Sequence, residues 1–461
     1  MNQFTDTIES VDLREAVRLL QEKISSLKHP AVSDNGIHRV TVDISADFPL
    51  FDWLKSTVND SRLYWSDRDG RYEMAGIGEA LTLASKSYLD VESIIDSAAR
   101  LVRQSADGVR VFGGIRFPSI WKNGTSSIWQ PFGDCRLVVP RFEIVKSKSQ
   151  TLLVCNLTKT DFANLNAILR ELDINFKESI GGPATSVDII SRVDLPDYEG
   201  WETTIKSIIR DFSKGEIEKI VLARQTTIHF KKDGDALGIL KRLSAATPTC
   251  YHFFFQPIKD ISFLGASPEQ LYSRRGREIT SEALAGTKSR GQDQASDQKL
   301  GQELLRSEKE RREHKYVVDN IKEAMNSLCE NYSAKDSPSL LKLPQVQHLR
   351  TEFKGKLRPG IVDADILKAL HPTSAVGGFP SAAAQSRIAE CEEFDRGWYA
   401  GAVGWLGQDA AEMAVAIRSG LVNGRQLILH SGAGIISGST AQSEWAEIES
   451  KIESFLNAVG G

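Results

Sequence analysis

QLILHSGAGIISGSTAQSEWAEIESKI, residues 426–452, reads as a strand, a glycine turn and a helix in succession. The apolar run to His430 predicts the strand, Gly432-Ala433-Gly434 the turn, and a final helix runs from about Ala441 to Leu456. Just upstream, AVGWL (402–406) and AVAIRSGLV (414–422) are strand-like, as are EIEKIVLARQTTIHF (216–230), YHFFFQPI (251–258) and ISFLGAS (261–267). Helices are expected from Trp201 to Lys214, from near Ser307, and from Asp363 to Leu370. The first half repeats the pattern. VTVDI, RLYWSD, RVFGGIRF and RLVVPRFEIV are short apolar runs broken by turn residues, with helices at 11–28, 91–104 and 161–176. Strands in both halves with helices between them predict an α+β fold with large, mostly antiparallel sheets. GGPATSVDIISRVDLPDYEG (181–200) is the best candidate for a linker.

Bulk composition excludes several classes. The 461 residues carry 57 basic and 61 acidic side chains, a net −4, so there is no basic excess of the kind nucleic acid binding favours. Five scattered cysteines form neither a CxxC nor a disulfide framework, which fits a reducing compartment. The N-terminus shows no secretory signal, and the uncharged stretches 369–386 and 426–443 are too polar to span a bilayer. A cytoplasmic protein without membrane or nucleic acid partners is expected.

Chemistry-bearing residues gather in the second half. Glu310/Glu313 and Glu444/Glu447 are i,i+3 pairs, so each pair shares one helical face. Two such helices facing each other suit Mg²⁺, which takes hard oxygen ligands and shares them with an anionic substrate. Ser307 with Glu310 equally forms a capping box. Gly432-Ala433-Gly434 fails the dinucleotide pattern, because Ser437 stands at the third glycine position. It remains a glycine loop whose N–H groups could hold a carboxylate, or simply a tight turn. Lys219 opens an apolar strand, where desolvation can make a lysine a general base or where it snorkels to solvent. Glu269 ends a strand at a turn.

GASPEQLYSRRGREITSEALAGTKSRG, SEKERREHKYVVDNI, VQHLRT, HPTSAVGGFP, RGWYAGAVGW, AVAIRS and HSGAGIISGSTAQSEWAEIESKI occur in the order and spacing of the chorismate-utilising enzymes, which this chain closely resembles. The family includes isochorismate, salicylate, anthranilate and aminodeoxychorismate synthases, and the likeness covers roughly Lys219 to Lys451. It implies one large α+β domain of two mostly antiparallel sheets packed together with helices outside. Residues 1–195 would be its non-catalytic N-terminal part and 196–461 its chorismate-binding catalytic part.

Within the family the chain resembles the isochorismate-forming, menaquinone-pathway branch. Lys219 stands where ammonia-using members usually carry glutamine, and Ala375 where salicylate synthases carry threonine. RLYWSDRDG and FGDCRLVVPRFEI also resemble that branch. A salicylate synthase or a siderophore-pathway isochorismate synthase is the alternative. The resemblance implies an isomerase with Lys219 as base toward water and Glu269 as acid toward the departing hydroxyl. It further implies Glu313 and Glu447 as main Mg²⁺ ligands with Glu310 and Glu444 close by. Arg418 and Tyr399 would hold the enolpyruvyl carboxylate; Gly286, Thr287, Gly432 and Gly434 would contact substrate; His348, Ala375 and Lys451 would line the same site. A monomer or homodimer without an amidotransferase subunit is implied. Ala441 and Ser281 depart from the proline and threonine common in relatives, and neither touches the acid, base or metal ligands.

Overall fold

The computed structural model describes residues 12–28, 33, 35–118, 128–176 and 188–460. Its 20 strands form one continuous antiparallel network among the described residues. The network divides at the long pair Tyr72–Ser85 and Cys135–Ser147, which lie side by side along most of their length. One run leads from Tyr72–Ser85 through Arg62–Ser66, Tyr251–Ile258, Ile261–Ser267, Ser419–Asn423 and Gln426–Ile436 to Lys219–Phe230. The other leads from Cys135–Ser147 through Arg110–Ile115, Ala402–Gly407, Ala410–Val415, Gln270–Arg275 and Glu278–Ser289 to Val346–Leu357. N-terminal strands are thus interleaved with C-terminal ones in both runs.

The two runs meet face to face over an aromatic cluster that includes Trp65, Phe112, Phe253, Phe263, Trp398 and Trp405. Such large rings bury much apolar area and interlock edge to face, as Phe132 does against Trp398. A second, larger core lies beneath the helices on the outside. Val91–Gln104 buries Val91, Ile95, Ala98, Ala99, Leu101 and Val102, the stripe expected of an amphipathic helix. Glu308–Leu328 buries His314, Val317, Ile321, Ala324, Met325 and Leu328 in the same way and packs on the Glu278–Ser289 strand. The last helix, Ala441–Gly460, packs on the Gln426–Ile436 strand.

Three expectations from sequence are corrected here. The linker lies outside the described residues up to 187, but Ile189–Leu195 is a strand paired with Lys219–Phe230. Glycine and proline dominate only the first part of that stretch, and its β-branched residues suit an exposed edge strand. Gly432-Ala433-Gly434 is strand interior rather than a loop, paired with Leu222 and its neighbours; its glycines serve close approach, not a turn. The Ser307 capping box is half made. Ser307 Oγ accepts from the Glu310 N–H at 3.4 Å, whereas the Glu310 carboxylate turns away to accept from the Thr287 N–H at 3.1 Å.

Candidate active site

Lys219 begins its strand opposite Ile436, and Val221 lies opposite Gly434. Alternation along a strand therefore puts Lys219, Val221 and the bare Gly434 on one face. A methyl group at Gly434 would come within 2.2 Å of Glu313 Oε1 and 3.2 Å of Lys219 Cε, so glycine is what admits both side chains. Lys219 is fully buried, and its Nζ stands 3.2 Å from Glu313 Oε1 without a well-aligned hydrogen bond.

Glu269 occupies the two-residue link between Ile261–Ser267 and Gln270–Arg275, where the chain crosses from one run of strands to the other. Arg418 lies in the neighbouring crossing, which runs the opposite way from Ala410–Val415 to Ser419–Asn423. The crossings are bonded together: Val415 N–H donates to Glu269 O at 3.1 Å and Ala266 N–H to Arg418 O at 3.0 Å. Those bonds hold Arg418 at φ +50°, a conformation side chains other than glycine rarely adopt. Glu269 is 3% exposed and its Oε1 has no partner among the described residues. Burial, reinforced by the charge of Glu282 and opposed by Lys219 and Lys451, pushes its carboxyl up to about 8. Glu269 is therefore largely protonated at neutral pH.

The two helices bring their carboxylates together from opposite sides. Three of the four meet a lysine amine, Glu313 with Lys219 at 3.2 Å, Glu444 with Lys309 at 2.8 Å and Glu447 with Lys451 at 2.6 Å, while Glu310 accepts from the Thr287 N–H. Burial and then the charge of Glu313 push Glu310 up to about 7; burial and Glu447 raise Glu444. Burial works against the Glu447 carboxylate too, but Lys451 and the neighbouring cations outweigh it. Among the described residues no three His, Cys, Asp or Glu side chains enclose a metal unaided. The raised Glu310 and Glu444 mark a concentration of carboxylates that nonetheless fits a hard divalent cation, provided an anionic substrate completes its shell.

Between these groups lies a cavity of about 80 Å³, bordered by Glu269, Gly286, Thr287, Glu313, His348, Ala375, Tyr399, Arg418, Gly432, Gly434, Glu447 and Lys451. All were expected at the site. Lys219, Glu310 and Glu444 stand immediately behind that lining, through the contacts just given. Gly286 makes a bulge at φ +79° that lets Thr287 pair with His348 across the sheet. Thr287 Oγ1 and His348 Nδ1 are 3.0 Å apart, and His348 Nε2 is buried without a partner among the described residues. Burial, with Arg418 and Lys451 nearby, lowers the imidazole to about 3, so it is neutral. Lys451 Nζ donates to Gly432 O at 2.8 Å, tying the last helix to its strand. Burial lowers Arg418 and raises Tyr399 to about 12. Arg418 borders the cavity, and among the described residues no carboxylate lies within salt-bridge distance of it.

Sequence reading missed His430, whose ring stacks on Tyr399 at 5.3 Å in the wall of the cavity. It also missed Lys309, inside the SEKERREH stretch. Both lie inside motifs quoted for the resemblance, HSGAGIISG and SEKERREH, which was the available signal. A larger cavity of about 650 Å³ lies elsewhere, among Val91–Gln104, Glu308–Leu328 and Asp363–Leu370. The acid–amine pair in its lining, Glu92 with Lys368 at 2.8 Å, is exposed to solvent, and none of the residues expected at the site lies there.

A buried protonated acid, a buried amine and two helix-borne carboxylate pairs around one cavity define an acid–base enzyme for a small polyanion. The model of the chorismate binding enzymes matches residues 24–460, and the chain belongs to that family. It is 30% identical to isochorismate synthase MenF of Bacillus subtilis (strain 168) over 467 residues, covering 96% of this chain and 98% of the relative. Against isochorismate synthase MenF of Escherichia coli (strain K12) the identity is 31% over 417 residues, 88% of this chain and 91% of the relative. The solved structure of MenF, the menaquinone-specific isochorismate synthase from Escherichia coli, superposes with a TM-score of 0.85 at 29% identity. It covers 97% of this chain and 99% of that one. Anthranilate synthase component I from Streptococcus pneumoniae TIGR4 shares the fold, with a TM-score of 0.68 at 22% identity over 84% of this chain and 92% of that one. No helix among the described residues is long and apolar enough to cross a membrane.

Proposed function

We propose that this chain converts chorismate to isochorismate. The observation that carries the reading is the burial of Lys219 and Glu269 about one cavity, with the carboxyl held protonated. Water adds at C2, the C4 hydroxyl leaves and the ring double bonds shift, so atoms are conserved and the reaction is an isomerisation. Lys219 takes the proton of the attacking water. Glu269 delivers a proton to the departing hydroxyl, which leaves as water. Such a division of labour needs an acid that keeps its proton at neutral pH, and burial of Glu269 supports that role.

Glu313 and Glu447 would hold Mg²⁺, with Glu310 and Glu444 close by. Bound there, the ion supplies charge compensation for the ring carboxylate and fixes its orientation. Arg418 and Tyr399 bind the enolpyruvyl carboxylate, with Thr287 and His348 beside them. Gly286, Gly432 and Gly434 let the substrate approach the backbone, and Lys451 keeps Glu447 in place. Ala375 leaves the wall without the hydroxyl that salicylate-forming relatives carry. The product serves menaquinone formation, a reading supported by the likeness to the menaquinone-specific enzyme of Escherichia coli, and the scattered cysteines favour a cytoplasmic setting. The enzyme works as a monomer or homodimer without an amidotransferase subunit.

The test is product chromatography of purified protein with chorismate and Mg²⁺. Isochorismate is expected. Dominant salicylate would reassign the chain to the salicylate branch, and ammonia-dependent anthranilate would reassign it to the aminating branch.

A further inference from the structure

Arg68 belongs to the N-terminal part of the chain, in the tight turn that joins Arg62–Ser66 to Tyr72–Ser85. The turn is closed by Asp67 N–H donating to Tyr72 O at 3.0 Å, by Asp67 Oδ1 accepting from Arg71 N–H at 2.8 Å, and by Gly70 at φ +62°. From its tip the guanidinium reaches the catalytic half. Nη1 donates to Pro268 O at 3.1 Å and to Glu282 Oε1 at 2.5 Å, while Nη2 donates to Glu282 Oε2 at 3.0 Å. Glu282, 2% exposed, accepts Gln270 N–H on Oε1 at 2.9 Å and Arg350 Nε on Oε2 at 2.6 Å.

Those bonds seize both peptide groups that flank Glu269. The peptide before it is held through the Pro268 carbonyl by Arg68. The peptide after it is held through the Gln270 N–H by Glu282. We propose that Arg68 and Glu282 form a clamp that positions the Glu269 carboxyl for proton delivery, so that the N-terminal part contributes directly to the acid's alignment. The inference rests on the reading of Glu269 as the acid. A buried carboxylate costs stability unless its oxygens are fully engaged, and apolar packing would fill the same space more cheaply. What the ion pair adds is direction, since bidentate guanidinium–carboxylate bonding fixes orientation as well as distance.

Electrostatics agrees with the geometry. Burial opposes ionisation of Glu282, but Arg68 and Arg350 outweigh it and hold it charged. That charge in turn helps Glu269 keep its proton against the opposing pull of Lys219 from the strand and Lys451 from the last helix.

The test compares Arg68→Lys, Glu282→Gln, Arg350→Lys and Glu269→Gln in the full chain, with melting temperature measured for each. Arg68→Lys keeps the charge and loses the fork, and kcat should fall at least ~10-fold, as expected when a reacting group is misplaced. KM for chorismate should stay within about twofold, because no contact to the substrate changes. Arg350→Lys touches neither flanking peptide and should cost less. Glu282→Gln should move the alkaline limb of kcat/KM to lower pH, since the charge that keeps the proton on Glu269 is gone. A folded Arg68→Lys with near-wild-type kcat, or a loss that only tracks the unfolded fraction, would overturn the clamp. Should Arg68→Lys not fold, an unmoved alkaline limb in Glu282→Gln overturns it instead. An active Glu269→Gln would sink the acid assignment itself; an inactive Glu269→Gln beside unaffected clamp variants would sink the clamp alone.

Discussion

Lys219 Nζ and Glu313 Oε1 lie 3.2 Å apart beneath Gly434, so the amine and one carboxylate occupy a single buried corner of the site. The pairing links proton transfer to the carboxylate set, and variants on either side can be told apart by what they disturb.

Lys219→Ala and Glu269→Gln should each lower turnover by ~10²–10⁴-fold, the range for loss of a general acid or base. Mg²⁺-dependent chorismate binding, followed by titration calorimetry, should be largely retained. Near-wild-type turnover in Lys219→Ala would remove it as the base.

Glu313→Ala and Glu447→Ala should act differently, raising the Mg²⁺ concentration needed for half-maximal activity steeply. An unchanged metal titration would take that carboxylate out of the site.

Gly434→Ala probes the corner sterically. Its added methyl meets Glu313 Oε1 at 2.2 Å, so the carboxylate must move, and half-maximal activation should require several-fold more Mg²⁺. Gly432→Ala brings its methyl only to 3.1 Å from Tyr399 and should be milder. Equal metal titrations for the two variants would contradict this account.

The carboxyl of Glu269, held near 8, makes two pH predictions. As acid it must carry its proton, so kcat/KM should decline with rising pH above about 8. Stability follows the same shift. Between the usual carboxylate range and about 8 the native state holds a proton that the unfolded state releases, so this group's contribution falls as pH rises. Glu269→Gln should therefore gain stability relative to wild type from pH 5 to 8, by at most about 1.4 kcal/mol per pH unit. Denaturant melts at both pH values would show it, and a pH-independent difference would refute it.

Much of this architecture was legible because local physics dictates it. Val91–Gln104 and Asp363–Leu370 begin and end where periodicity and turn residues place them. One glutamate of each i,i+3 pair, Glu313 and Glu447, borders the cavity on the helices where spacing places them. What stayed hidden depends on partners far away in sequence. Gly432 and Gly434 look like a loop until the Lys219–Phe230 strand lies alongside. The Glu310 side chain looks like half of a cap until Thr287 claims it. Glu282 sits in plain sight within ITSEALAGT, but only the fold brings Arg68 to it from the opposite half of the chain.

The paired crossings that carry Glu269 and Arg418 act as a ruler. Because main-chain bonds set the spacing of the two crossings, exchanging nearby side chains leaves the span between Glu269 and Arg418 nearly constant. A related enzyme could inherit that span unchanged while altering Ala375, Leu284 or Val376 along the wall. The scaffold thus sets the distance between these two side chains and leaves the wall between them free to vary.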